Sequence, residues 1–196
     1  MNKDESELYR NQLVKARDCA NTNNIRYNSN LNLIETVSDI NLQVVKKLIQ
    51  DFLTEDMSKN LVGYWGVNCM DISANIYIFL HKLGIPCEIV FGDIEMGEVR
   101  KYRVEVEPLI EEHKNEKNKG AQTVHVWITL GDDIIIDGSL YDMTVVEMNC
   151  PKLWNSRIIV TRASGIYLMK QIRYIPMFLG AGFLSTTNAY SPSLFF

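Results

Sequence analysis

The sequence predicts an α+β domain in which N-terminal helices pack on an antiparallel β-sheet, and three observations lead to that class. Apolar positions recur at helical spacing as far as Leu83 and then give way to β-rich runs. Helical segments come first and strands follow, the order of an α+β fold rather than of alternating βαβ units. The composition, 46% apolar and 22% charged over 196 residues, is that of a globular chain long enough to bury one full core. Intrinsic disorder, low-complexity or collagen-like fibres and two independent domains are therefore excluded. Within a single domain spanning 1–196, the chain divides into a helical part (1–84), a sheet part (85–174) and an apolar tail (175–196).

Residues 5–20 are helix formers with Leu8, Leu13 and Ala16 loosely on one side, and the Asn-rich stretch from Asn21 to Asn32 ends them in a loop. From Asn41 onward, Leu42, Val45, Ile49 and Phe52, flanked by Leu48 and Leu53, follow the i, i+3, i+4, i+7 spacing of a core-facing helix. The segment Asn68 to Gly84 is punctuated at both ends. Asn68 can cap the first turn, Asp71 adds a carboxylate there, and Gly84-Ile85-Pro86 supplies the stop. Ile72, Ile76, Phe79, Leu80 and Leu83 form its apolar stripe.

Strands are predicted at 86–94, 99–107, 122–130, 133–138, 157–162 and 166–174. The polar run EEHKNEKNKG, residues 111–120, reads as a solvated loop or flap. After Arg173 no side chain is charged, and Ile175, Met177, Phe178, Leu179, Phe183, Leu184, Tyr190, Leu194, Phe195 and Phe196 would expose a large apolar surface. That tail is expected to fold back on its own domain or to dock on a second copy as a homodimer contact, partly covering the Cys69 cleft. No internal repeat is present.

A net charge of -4 gives no pull toward nucleic acid, and no apolar run approaches the roughly 20 residues of a membrane span. The charged start MNKDESELYRNQ lacks a secretory core, so a cytoplasmic location with free thiols is expected. The four cysteines, Cys19, Cys69, Cys87 and Cys150, show no zinc-ligand spacing, and neither metal nor cofactor is expected.

Cys69 falls at the start of the punctuated helix, where unpaired N–H groups and the helix dipole favour a thiolate, the nucleophilic form of cysteine. In TVHVWITL, His125, Trp127 and Thr129 share one face, opposite Val124, Val126, Ile128 and Leu130. If Gly131-Asp132-Asp133 is a three-residue hairpin loop, Leu130 pairs with Ile134, and Asp137 becomes the diagonal neighbour of His125 on the same face. A carboxylate there can meet the imidazole Nδ1–H and fix its tautomer, while the other nitrogen takes the thiol proton. The backbone N–H of Cys69 is the natural first oxyanion donor, and Trp65 and Tyr64 are candidates for a second. His81 suits a helix C-terminus, His113 reads as solvated in the polar loop, and Cys87 and Cys150 read as structural. Asp132-Asp133 falls short of a calcium site.

Gly66-Val67-Asn68-Cys69 opening an apolar helix, Leu83-Gly84-Ile85-Pro86-Cys87-Glu88-Ile89-Val90, His125-Val126-Trp127-Ile128 and Ile136-Asp137-Gly138 occur in that order. Together they resemble the core of the transglutaminase-like superfamily, a papain-related fold, over about residues 60–142. The resemblance implies a Cys69–His125–Asp137 triad that attacks an amide carbonyl through an acyl-enzyme. Hydrolysis, as in a peptidase or deamidase, is the preferred outcome on a peptide, protein or small amide substrate. The alternatives are a transamidase or acyltransferase and a catalytically inactive binding or scaffold module. The chain departs from the family pattern at Met70 and at Gly138-Ser139. Under this reading an Asp137→Asn change disturbs the tautomer while sparing the fold.

Overall fold

The computed structural model describes residues 3–33, 36–52, 65–118, 120, 122–148 and 157–187. In chain order these form α1 (Lys3–Thr22), α2 (Asp39–Phe52), α3 (Cys69–Lys82), β1 (Glu88–Met96), β2 (Val99–Arg100) and α4 (Val106–Lys114). Then come β3 (His125–Leu130), β4 (Ile134–Asp137), α5 (Leu140–Met148), β5 (Ile159–Arg162), α6 (Ala163–Lys170), β6 (Ile172–Leu179) and α7 (Gly182–Thr187). All strand pairings are antiparallel, in the order β2-β1-β3-β4-β5, with β6 also paired to β1. The class is the expected one, helices with an antiparallel sheet.

The helices predicted before Leu83 are present with adjusted faces. In α1 the buried stripe is Tyr9, Leu13, Ala16 and Ala20, whereas Leu8 is exposed. In α2, Val45 and Ile49 are buried, and Phe52 stacks on Phe79 of α3 with ring centroids 4.1 Å apart. Leu53 lies outside the described residues. Ile72, Ile76 and Leu80 of α3 are fully buried, while Leu83 is exposed. α3 ends as its sequence directs. Gly84 adopts φ +70°, its N–H reaches the His81 carbonyl at 3.0 Å, and the Ile85 N–H reaches the Leu80 carbonyl at 3.0 Å, a Schellman closure.

Two strand expectations and one loop expectation are corrected. Of 99–107 only Val99–Arg100 is strand, and helix α4 takes in the first four residues of the polar run, Glu111 to Lys114, with Leu109, Ile110, Glu112 and His113 buried. His113 is accordingly not solvated; its ring lies 6.1 Å from Phe183. Residues 166–174 are split, with α6 ending at Gln171 in the left-handed conformation before β6 begins. The sheet part therefore extends past residue 174 and contains three helices, α4, α5 and α6. β-branched and aromatic residues in 163–170 favour a strand locally, but the propensity differences of about 1 kcal/mol or less are readily overridden by packing.

The described part of the tail folds back on its own domain. β6 pairs with β1 along Val90–Met96, and Phe178 and Phe183 close on Phe91 with centroids 4.6 and 4.9 Å away. Glu88, fully buried, ties this end down. Its carboxylate accepts the N–H groups of Asn28 at 2.5 Å, Ile89 at 2.7 Å and Ala181 at 2.8 Å. Burial pushes the Glu88 carboxyl up to about 7 against the pull of those donors. Tyr190, Leu194, Phe195 and Phe196 lie outside the described residues. Among the described residues no helix is long and apolar enough to cross a membrane.

The β3–β4 turn carboxylates have a structural role. Asp132 pairs with Arg10 and accepts the Thr36 hydroxyl at 2.9 Å, and Asp133 takes Arg162 at 2.8 Å and the Ser6 hydroxyl at 2.8 Å. Asp132 thus fastens α1 and the segment before α2 to the hairpin, and Asp133 fastens α1 and β5 to it.

Gly138 sets how closely α3 approaches the end of β4. A Cβ on Gly138 would lie 2.5 Å from Cγ2 of Ile72, a stiff β-branched side chain one turn beyond Cys69. Gly138→Ala is therefore expected to destabilise the fold by about 1–3 kcal/mol in urea denaturation. Combining it with Ile72→Ala should be markedly less costly than the sum of the two single changes, and strict additivity would refute the contact.

Candidate active site

Cys69 is the first residue of α3, placed there by a turn in which the Asn68 N–H meets the Trp65 carbonyl at 3.0 Å. Asn68 occupies the cap position, its carbonyl accepting the Ile72 N–H at 3.0 Å, but its side chain makes no capping bond, contrary to expectation. The N–H groups of the first helical turn lack intrahelical partners and carry the positive end of the helix dipole, and Cys69 is the first residue of that turn.

α3 is registered on β3 through matched repeats. Ser73 donates its hydroxyl to the Val126 carbonyl at 3.0 Å, and the Cys69 thiol points to the Val124 carbonyl at 3.8 Å. Four helical residues advance about 6 Å and two strand residues about 6.8 Å, so one turn of α3 matches one β3 repeat. Residue 125, between those carbonyls, is thereby held beside the start of the helix.

The hairpin has the expected three-residue parity, with Leu130 opposite Ile134, Thr129 opposite Ile135 and Ile128 opposite Ile136. His125 and Asp137 consequently share a face and meet, Nε2 lying 2.6 Å from Oδ2. The nitrogen differs from the one expected. Nε2, not Nδ1, engages the carboxylate, and Nδ1 is buried with no hydrogen-bond partner of its own among the described residues. The imidazole ring is fully buried, stacked against Tyr102 at 5.5 Å and Trp127 at 5.9 Å.

Asp137 is saturated with donors. Oδ1 accepts the Ser139 N–H at 2.8 Å, the Ser139 hydroxyl at 3.0 Å and the Leu140 N–H at 3.0 Å, so the carboxylate also caps the first turn of α5. Oδ2 accepts from His125 and from the Tyr174 hydroxyl at 2.8 Å. Burial raises the affinity of Asp137 for a proton, but His125 and the two backbone N–H groups outweigh it, and the carboxyl is held below its ordinary range. Burial likewise works against a charge on His125. The Asp137 carboxylate, with a further contribution from the Cys69 sulfur, overcomes that penalty and pushes the imidazole up to about 10. The ground state near neutrality is thus an imidazolium on a carboxylate, with Nδ1 the ring nitrogen left for Cys69.

Trp65 is buried, and its backbone N–H is taken by Asp142 at 2.8 Å. Its ring lies under the Arg157 guanidinium, 3.8 Å from centroid to Cζ, and Arg157 in turn pairs with Asp142. The Trp65 main chain is thus tied to Asp142 just ahead of the turn that leads into Cys69. Tyr64 and Cys150 lie outside the described residues. His81 sits in the last turn of α3, stacked on Tyr77 at 5.8 Å, and Cys19, Cys69 and Cys87 are free thiols. No group of three or more His, Cys, Asp or Glu among the described residues could hold a metal ion.

Sequence reasoning missed Ser139, Tyr174, Tyr102, Tyr9 and Asp93. Ser139 had a local signal, since Asp-Gly-Ser ahead of an apolar run is a capping pattern. The others had none. Tyr9 reaches the site from α1, accepting the Trp127 indole N–H at 2.8 Å. Asp93, buried in β1, accepts the N–H groups of Tyr102 at 2.9 Å and Val104 at 3.3 Å, and so holds the loop that lays Tyr102 on His125.

Comparison of this chain with known proteins finds no matching family model, no matching curated protein and no matching solved structure.

Proposed function

We propose that this protein is a cysteine-dependent acyl-transfer enzyme of transglutaminase-like, papain-related type, and that it hydrolyses an amide bond of a peptide, protein or small molecule. One observation carries the reading. A free thiol at a helix start lies beside an imidazole whose far nitrogen is held at 2.6 Å by a buried carboxylate.

In the proposed cycle Cys69 enters as a thiolate paired with the His125 imidazolium, whose Nδ1 carries the thiol's proton and whose charge Asp137 stabilises. The sulfur attacks the amide carbon, and the oxyanion faces the unpaired N–H groups at the start of α3. Nδ1–H then protonates the departing amine as the C–N bond breaks, giving a thioester. Water, deprotonated by Nδ1, attacks that thioester to release the carboxylic acid and restore the thiolate–imidazolium pair. An amine in place of water would make the same cycle a transamidation.

Alkylation supplies the test, with internal controls. Burial pushes the Cys19 and Cys87 thiols up, away from the reactive range. At pH 7, iodoacetamide should label Cys69 at least about tenfold faster than Cys19, as read by peptide mass spectrometry. Labelling of Cys69 no faster than Cys19 would remove the enzymatic reading and leave the binding or scaffold module in its place.

A further inference from the structure

The least expected contact at the site is the hydroxyl of Tyr174. This residue belongs to β6, a strand formed from the start of the uncharged tail, and its side chain is buried against Trp127, with ring centroids 5.0 Å apart. Its hydroxyl donates to Oδ2 of Asp137 at 2.8 Å, the same oxygen that receives His125 Nε2 at 2.6 Å.

We infer that Tyr174 is a positioning residue for the His125–Asp137 pair, sharing Oδ2 with Nε2–H and so limiting how firmly the carboxylate holds the imidazolium proton. The inference rests on the acyl-transfer reading for its purpose, though not for its geometry. An ionised carboxylate has no proton to donate, so each of its five neighbours must bring one. Three of them occupy Oδ1, and they fix the plane of the group. On Oδ2 two donors compete for one oxygen. Nε2 therefore keeps its hydrogen, and Nδ1 is the nitrogen that exchanges protons with Cys69. Every donor added to a carboxylate stabilises its charge and lowers its basicity. Removing the Tyr174 hydroxyl should thus tighten the grip of Asp137 on His125.

The ionisable groups that bear on this pair come from several elements. Cys69 acts on His125 from α3, while Tyr9 of α1 and Tyr102 of the loop after β2 act on Tyr174. None of them donates to Oδ2, so the Tyr174 substitution isolates one interaction. The β6 origin also has a consequence for truncation. Ending the chain after Arg173 would remove this hydroxyl along with the strand that covers β1.

The test is an NMR titration of the His125 imidazole in the full chain, comparing wild type with Tyr174→Phe. The Phe variant is expected to titrate at least about half a pH unit higher, with the Nε2–H tautomer retained in the neutral form. Should Tyr174→Phe fail to fold, 3-fluorotyrosine placed at position 174 keeps the shape and is a stronger donor, and it should move the titration downward. Coincident titrations of wild type and either variant would overturn the inference, because a purely structural tyrosine would not move them. Cys69 alkylation is scored separately. A shifted His125 titration with an unreactive wild-type Cys69 would dismiss the enzymatic reading while leaving the Tyr174 grip in place. A reactive Cys69 with an unshifted titration would do the reverse.

Discussion

Asp137→Asn is expected to cost about 3–5 kcal/mol of stability near pH 6, more than a change confined to catalysis would. The sequence by itself suggests that the fold is spared, but the buried carboxylate accepts five hydrogen bonds, two of them from the backbone of Ser139 and Leu140 where the next helix begins. An asparagine must turn its NH2 either toward Ser139 and Leu140 or toward His125 and Tyr174. The first choice sets donor against donor at the start of α5. The second is relieved only if the imidazole moves its hydrogen to Nδ1, which leaves no base beside Cys69. Turnover of an acyl substrate should then fall by about four orders of magnitude, as expected when a catalytic histidine is held in the wrong tautomer.

The pH dependence gives this result a sign. His125 binds its proton more tightly in the folded protein, up to about 10, than in the unfolded chain, so its contribution is complete below about 6.5 and is lost as pH rises toward 10. Asp137, held low, contributes above its unfolded value near 3.8 and loses that contribution as pH falls through its folded value. The stability gap between wild type and Asp137→Asn should therefore be widest between about pH 4 and 6.5 and narrow toward pH 10. Urea denaturation at pH 5.5, 7.5 and 9.5 measures it. A gap below about 1 kcal/mol, or one independent of pH, would contradict the buried ion pair.

Cys69→Ala should separate chemistry from stability in the opposite way. The side chain is small, and its 3.8 Å approach to the Val124 carbonyl is a long contact, so the fold should change by no more than about 1 kcal/mol. Turnover should fall by at least about three orders of magnitude, because no other described thiol approaches His125. The His125 titration should also move downward, since the sulfur helps to hold the imidazolium. Equal turnover by wild type and Cys69→Ala on any substrate would reject the proposed nucleophile. A folded Cys69→Ala protein with an unchanged His125 titration would show that the two side chains do not interact.

The sequence by itself determined the parts of this protein whose causes are local. The Schellman exit of α3 is written in Gly84-Ile85, the burial of Ile72, Ile76 and Leu80 in their spacing, and the shared face of His125 and Asp137 in the parity of a Gly131-Asp132-Asp133 loop. Each follows from contacts spanning a few residues, where helix periodicity, strand alternation and turn geometry leave little choice. Tertiary structure decided the rest. α4 and α6 formed where strand or loop was the local reading, because burial of Leu109, Ile110 and Ile166 against the domain outweighs small propensity differences. Nε2 rather than Nδ1 faces Asp137 because ring orientation depends on α3 and the Tyr102 loop as well as on the hairpin. Tyr9 and Tyr174 reach the site from near opposite ends of the chain, 118 residues from Trp127 and 37 from Asp137. Such partners leave no periodicity in the sequence, since a single hydrogen bond across a packed sheet fixes two residues and constrains nothing between them.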